Sequence, residues 1–173
     1  DAAIANIIQP GDKVLCITSG KFGERFRDIV KAYKGTVVEL KYEWGSSINI
    51  EDVKKALEKD PSIKAVTMVH NETSTGVRNP VAEIGKIVRS TKALLVVDTI
   101  SSLGGDNIEV DNWGIDLCAS GSQKCIGLPP GMCFISVSQR AWDVIEKTDG
   151  TCYYLNLKKY KNNKYKAPYS VMI

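Results

Sequence analysis

Short runs of adjacent apolar residues alternate with runs in which apolar residues recur at helical spacing, along nearly the whole chain. The apolar stretch 2–8 predicts a helix, closed by Pro10 and Gly11, a stop followed by a turn. Residues 13–17 predict a strand, with Ser19 and Gly20 turning the chain after it. Phe26, Ile29, Val30 and Tyr33 share one face of a helix over 23–33, and Gly35 opens a strand over 36–40. A further helix starts at Asn49, a suitable cap with a carboxylate three residues on, and turns Val53, Ala56 and Leu57 inward. Strands follow over 63–69, 93–97, 115–119 and 132–137, and helices over 80–88 and 139–147.

The run Ala-Leu-Leu-Val-Val at 93–97 is apolar at every position, which implies burial on both faces, as in a parallel sheet covered by helices. Strands with crossover helices between them then predict an α/β fold, a three-layer sandwich with a mainly parallel sheet. There is no internal repeat. Asp149 and Gly150 mark the best boundary: residues 1–150 form the main domain and 151–173 an arm or connector. The opening residues read as a helix already in progress and the end is apolar and β-prone, so a fragment of a longer protein is expected.

Composition narrows the classes. The chain has 173 residues, 43% hydrophobic and 25% charged, the balance of a folded domain with a real core. Its formal charge of +3 is too small to argue for nucleic acid. Lys158, Lys159, Lys161, Lys164 and Lys166 crowd one stretch, read as a solvated face or, less economically, a polyanion patch. Five cysteines form no metal-ligand pattern, and their odd number fits a disulfide framework poorly, so a reducing cytoplasm is expected. No apolar run approaches a membrane span, so no membrane partner is expected.

Ligands of a parallel sheet gather beyond the carboxyl ends of its strands. Three polar segments fall there: 70–76 (His-Asn-Glu-Thr-Ser-Thr-Gly), 98–105 (Asp-Thr-Ile-Ser-Ser-Leu-Gly-Gly) and 119–124 (Ala-Ser-Gly-Ser-Gln-Lys). Asp98, directly after a buried strand, either needs a cationic partner or caps the next turn. Lys124 is either an exposed loop lysine or a buried amine able to attack carbonyls. His70, the only histidine, has no second ligand for zinc; it either supports Asp98 from behind or is structural. No dinucleotide fingerprint and no P-loop is present.

Together, residues 70–77, the Leu-Val-Val-Asp run at 95–98 with Ser102 to Gly105, Gly114 to Asp116, Ser120 to Lys124 and Pro129 to Gly131 resemble the class V aminotransferases. The alanine–glyoxylate and serine–pyruvate branch is the most similar. The resemblance implies a fold type I large domain, pyridoxal 5'-phosphate as cofactor, and transfer of an amino group between serine or alanine and glyoxylate or pyruvate. It implies that Lys124 is the Schiff-base lysine and proton shuttle and that Asp98 pairs with the pyridine nitrogen. Thr73 would hydrogen-bond the phenolic oxygen, Gln123 the phosphate, and Phe22 and Ile100 would pack on the two faces of the ring. Relatives often carry tryptophan where Phe22 stands. Ser170 resembles a residue reaching the neighbouring subunit's phosphate, which implies a homodimer. The family's Ser/Gly-rich phosphate turn and its substrate-carboxylate arginine have no counterpart; Arg25, Arg27, Arg78 and Arg89 do not match that role. Cysteine desulfuration, lyase chemistry and a non-enzymatic remnant remain the alternatives.

Overall fold

The computed structural model describes residues 1–149 and 152–164. Six strands form one sheet: β1 (Lys13–Thr18), β2 (Thr36–Lys41), β3 (Ala65–Val69), β6 (Leu94–Asp98), β7 (Leu117–Gly121) and β8 (Cys133–Val137), in the order β2-β1-β3-β6-β7-β8. A small hairpin, β4 (Asn71–Glu72) with β5 (Val77–Arg78), stands apart. The first five strands of the large sheet are parallel, and β8 runs antiparallel to β7. The helices are α1 (Ala2–Ala5), α2 (Lys21–Ala32), α3 (Ile50–Lys59), α4 (Val81–Arg89), α5 (Gln139–Ile145) and α6 (Leu157–Asn162).

Alternation along the strands divides the core in two. Val14 and Cys16 of β1, Ala65 and Val69 of β3, and Leu94 and Val96 of β6 face α1, α2, α5 and α6. Leu15, Ile17, Val66, Met68, Leu95 and Val97 face α3 and α4. Each fully buried aliphatic side chain contributes roughly 1.5–3 kcal/mol, so a strand buried on both faces anchors two layers at once. The expected three-layer, mainly parallel sandwich is the observed architecture.

Several expectations are corrected in detail. The first helix ends at Ala5, where the Asn6 side chain turns back to donate to the Ala2 carbonyl at 2.8 Å. The crossover from β6 to β7 contains no helix; Ile108, Val110 and Trp113 of that loop pack on the second core in a helix's place. Asn49 caps α3 by accepting from the Glu51 N–H at 3.0 Å, but Asp52 does not complete a capping box. Its carboxylate accepts from the Tyr42 hydroxyl at 3.1 Å, and burial together with that bond pushes the phenol up to about 12.

Segment 152–164 docks on the body through α1 and α5. Asn6 donates to the Leu155 carbonyl and accepts from the Leu157 N–H. The described part of the lysine-rich stretch stays solvent-facing, with Lys164 exposed, while some of its ammonium groups are engaged with α5. Lys158 donates to the Glu146 and Thr148 carbonyls at the end of α5, and Lys161 pairs with Glu146 and lies over the Trp142 ring. Lys166 lies outside the described residues. No helix among the described residues is long and apolar enough to cross a membrane, and all five cysteines are free thiols.

Candidate functional site

The parallel strands deliver their carboxyl ends to one edge of the sheet, and β8, being antiparallel, begins at that same edge. A cavity of about 640 Å3 opens there, lined among others by Phe22, Thr73, Asp98, Ile100, Gln123 and Lys124. Six of the seven residues to which the resemblance gives a cofactor role therefore line one cavity; Ser170 lies outside the described residues. A concavity of about 440 Å3 between α3 and α4, lined by Lys54, Glu58 and Lys86, lies away from the strand exits.

Each lining group owes its place to a strand exit. Phe22 is the second residue of α2, immediately after β1, half-buried against the first core. The Arg25 guanidinium lies 5.0 Å above the Phe22 ring, one helical turn on. Thr73 sits in the turn of the β4–β5 hairpin after β3. Asp98 is the last residue of β6 and pairs in the ladder with Val69, so its side chain points to the α1 and α2 side. Gln123 and Lys124 lie in the turn after β7.

Asp98 Oδ1 accepts the Ile100 N–H at 2.8 Å. No lysine or arginine among the described residues comes within ion-pair distance of it. Burial pushes its pKa up; the Ile100 N–H and the charge of Arg25 oppose that shift, and the charge of Glu72 adds to it. Among the described residues Asp98 is thus a half-buried carboxylate with no lysine or arginine within ion-pair distance, facing a cavity.

Two expectations change here. Lys124 is exposed rather than buried, because its turn stands at the rim of the sheet with only the start of β8 beyond it; it nevertheless lines the cavity. His70 does not reach the Asp98 carboxylate. It follows Val69 on β3, so alternation sends its ring to the opposite face of the sheet from Asp98. There it is buried, its Nδ1 2.9 Å from Ser102 Oγ and its ring edge-on to Trp113; burial lowers its pKa. Of its two readings, the structural one holds.

Sequence reasoning missed three groups. Glu72 is fully buried, and its carboxylate accepts from the Phe22 and Gly23 N–H groups and from the Ser74 hydroxyl. It fills the N-terminus of α2, which would otherwise be a ready anion site. Asn71 and Ser101 also line the cavity, and Ser101 Oγ stands 2.8 Å from Thr73 Oγ1. A charged residue inside an otherwise small and polar motif was the available signal for Glu72; nothing local distinguishes Ser101 from its neighbour Ser102.

A doubly covered, mainly parallel sheet, with an amine, a half-buried carboxylate without a lysine or arginine partner among the described residues, and an aromatic wall sharing one cavity at its strand exits, defines an α/β ligand-binding domain of the transferase type. The family model "Aminotransferase class-V" matches residues 2–171. A curated relative, an uncharacterised aminotransferase of Methanocaldococcus jannaschii, is 55% identical over 98% of this chain and 45% of its own length. Among solved structures, alanine–glyoxylate aminotransferase from Nostoc sp. superposes with a TM-score of 0.90 at 37% identity, covering 98% of this chain and 46% of that one. Ureidoglycine–glyoxylate aminotransferase from Bacillus subtilis gives a TM-score of 0.90 at 34% identity, with the same coverage. The chain belongs to the class V aminotransferase family, whose members use pyridoxal phosphate, and it spans about half the length of the relatives it matches.

Proposed function

We propose that this chain is the pyridoxal-phosphate-binding part of an aminotransferase acting between a small amino acid, serine or alanine, and a 2-oxo acid, glyoxylate or pyruvate. One observation carries the reading: Asp98, a half-buried carboxylate with no lysine or arginine in ion-pair reach among the described residues, lines the same cavity as the Lys124 amine. A protonated pyridine ring supplies the missing cation, and its aldehyde is the natural partner of an amine. The donor set therefore fits the cofactor.

When bound, the cofactor supplies an electron sink for the pair released at the substrate's Cα. Asp98 holds a proton on the pyridine nitrogen, its charge stabilised by that same proton. Lys124 would hold the cofactor covalently and, as a free amine, would take the proton from Cα. Phe22 and Ile100 would pack against the two faces of the ring, Thr73 would hydrogen-bond the phenolic oxygen and Gln123 would donate to the phosphate, all four lining the cavity. Because Glu72 already fills the N-terminus of α2, that helix end would not serve the phosphate, and Gln123 would.

Glyoxylate as acceptor is supported by the two solved relatives, an alanine–glyoxylate and a ureidoglycine–glyoxylate aminotransferase, which share it while differing in donor. Desulfuration gains little: it needs a mobile cysteine, and Cys125 Sγ lies 3.3 Å from the Ser101 carbonyl. Exposed Leu128, Met132 and Phe134 beside the cavity support a homodimer in which a second copy covers this rim.

The test is a half-reaction on the full-length protein. Loaded with pyridoxal phosphate and offered a panel of amino acids, it should lose its visible absorbance with alanine or serine. Lys124→Ala should abolish the borohydride-trappable adduct; an adduct unchanged in that variant rejects the assignment.

A further inference from the structure

Behind Thr73 lies a hydrogen-bonded chain that the reading above leaves unexplained. Ser101 Oγ is 3.0 Å from Asn71 Nδ2, 2.8 Å from Thr73 Oγ1 and 3.1 Å from the Asn71 carbonyl oxygen. A hydroxyl has one proton and two lone pairs. The Asn71 amide can only donate, so it occupies one lone pair of Ser101. Two arrangements of the remaining protons are compatible with the heavy-atom positions. In the first, Thr73 donates to Ser101 and Ser101 donates to the Asn71 carbonyl; Thr73 then shows the cavity only lone pairs. In the second, Ser101 donates to Thr73, and Thr73 has its proton free for a cavity ligand. An oxyanion in the cavity selects the second, because it repels lone pairs and takes the proton.

We propose that Ser101 and Asn71 are positioning residues: an amide–hydroxyl relay that turns the Thr73 proton toward an oxyanion in the cavity, the phenolic oxygen of the cofactor. This inference rests on the cofactor reading above. The three side chains come from two strand exits, Asn71 and Thr73 after β3 and Ser101 after β6, and all line the cavity. Bonds in series polarise one another, so Asn71 donating into Ser101 makes Ser101 a better donor to Thr73, and Thr73 a better donor to the oxyanion. The Ser101 backbone is itself held, since its carbonyl accepts from the Cys125 thiol and the neighbouring Ile100 N–H is bound by Asp98. The relay therefore couples the hairpin turn that carries Thr73 to the turn that carries Asp98.

The consequence is spectroscopic. The visible band of the Lys124-bound cofactor changes as its linkage loses a proton. While that proton is present the phenolic oxygen shares it; once the proton is gone, the oxygen's charge falls wholly on Thr73. A stronger donor thus favours loss of the proton and lowers the titration midpoint. A charged hydrogen bond is worth about 1.5–3 kcal/mol and serial polarisation about 10–30% of it, so loss of the relay moves the midpoint upward by about 0.1–0.7 pH unit.

The experiment titrates that band in full-length, cofactor-loaded protein. Ser101→Ala should raise the midpoint by that amount, Ser101→Thr, which keeps the hydroxyl, should restore it, and Thr73→Val should raise it further. Because Ser101 acts through Thr73, the double variant Ser101→Ala/Thr73→Val should titrate like Thr73→Val alone. A brace that merely held the turn would leave the midpoint untouched. The relay is overturned if Ser101→Ala titrates as the unaltered protein, if its shift persists undiminished in the Thr73→Val background, or if Thr73→Val itself shifts nothing. Failure of the unaltered protein to form a Lys124-dependent band overturns the cofactor reading instead, and is distinguished by appearing before any substitution is made.

Discussion

Asp98 ends β6 on the face of the sheet covered by α1 and α2, where one amide N–H meets a charge that burial has lifted out of water. Its raised pKa has a defined sign. The fold binds the proton more tightly than the unfolded chain does, so this group's contribution to stability is fully present below the ordinary carboxylate range. It is lost as pH rises through the raised value. At neutral pH the cofactor-free protein therefore carries a cost that an isosteric amide would not. Asp98→Asn should raise the thermal midpoint of the cofactor-free protein at pH 7, with the gain shrinking as pH falls into the carboxylate range. The same substitution should weaken cofactor retention, because an amide cannot hold the pyridine proton. Thermal scans across pH, with and without pyridoxal phosphate, check both signs; an Asn variant less stable at pH 7 without cofactor contradicts the account.

At the scale of the element, α2 is held by a residue 49 positions away from the amide it caps. Its preceding residue, Gly20, offers no side chain, and Glu72 supplies the missing acceptor to Phe22 and Gly23. The arrangement needs glycine at 20: a Cβ there would come 2.6 Å from both Glu72 Cδ and Ser74 Oγ. Its φ of 174 is ordinary extended backbone, so space rather than conformation excludes a side chain. Gly20→Ala should then cost about 2–4 kcal/mol, combining overpacking of about 1–3 with loss of a cap worth about 1. Denaturant unfolding measures the total. Faster hydrogen exchange at the Phe22 and Gly23 amides would localise it to the N-terminus of α2, which carries the aromatic wall of the cavity.

At the scale of the whole molecule, Leu128, Met132 and Phe134 leave apolar surface exposed around the cavity. Met132 is 62% and Leu128 51% exposed beside a cavity that also holds Lys124. The homodimer proposed above predicts that full-length protein sediments as a dimer and that Leu128→Asp with Met132→Asp drives it toward monomer with loss of activity. A monomer of full activity would contradict it. The layered fold was readable because burial on both faces leaves a mark in each strand's own residues, as in 93–97. The antiparallel β8 was not, since a strand's direction relative to its neighbour leaves no mark in its own residues. The places of Lys124 and Asp98 at strand exits were readable, whereas the exposure of Lys124 depends on what stands beyond β7.

The succession of strands and helices, and the presence of an amine, a carboxylate and hydroxyls at the strand exits, follow from the sequence by itself, because apolar spacing and local residue type are short-range properties of the chain. Tertiary structure alone decided that Asp98 faces the cavity while His70 turns away, a matter of single-residue alternation across the Val69–Asp98 pair. It alone brought Glu72 to α2 and Ser101 to Thr73, contacts across 49 and 28 residues. Such pairings are set by strand order and register, which emerge only when the sheet assembles.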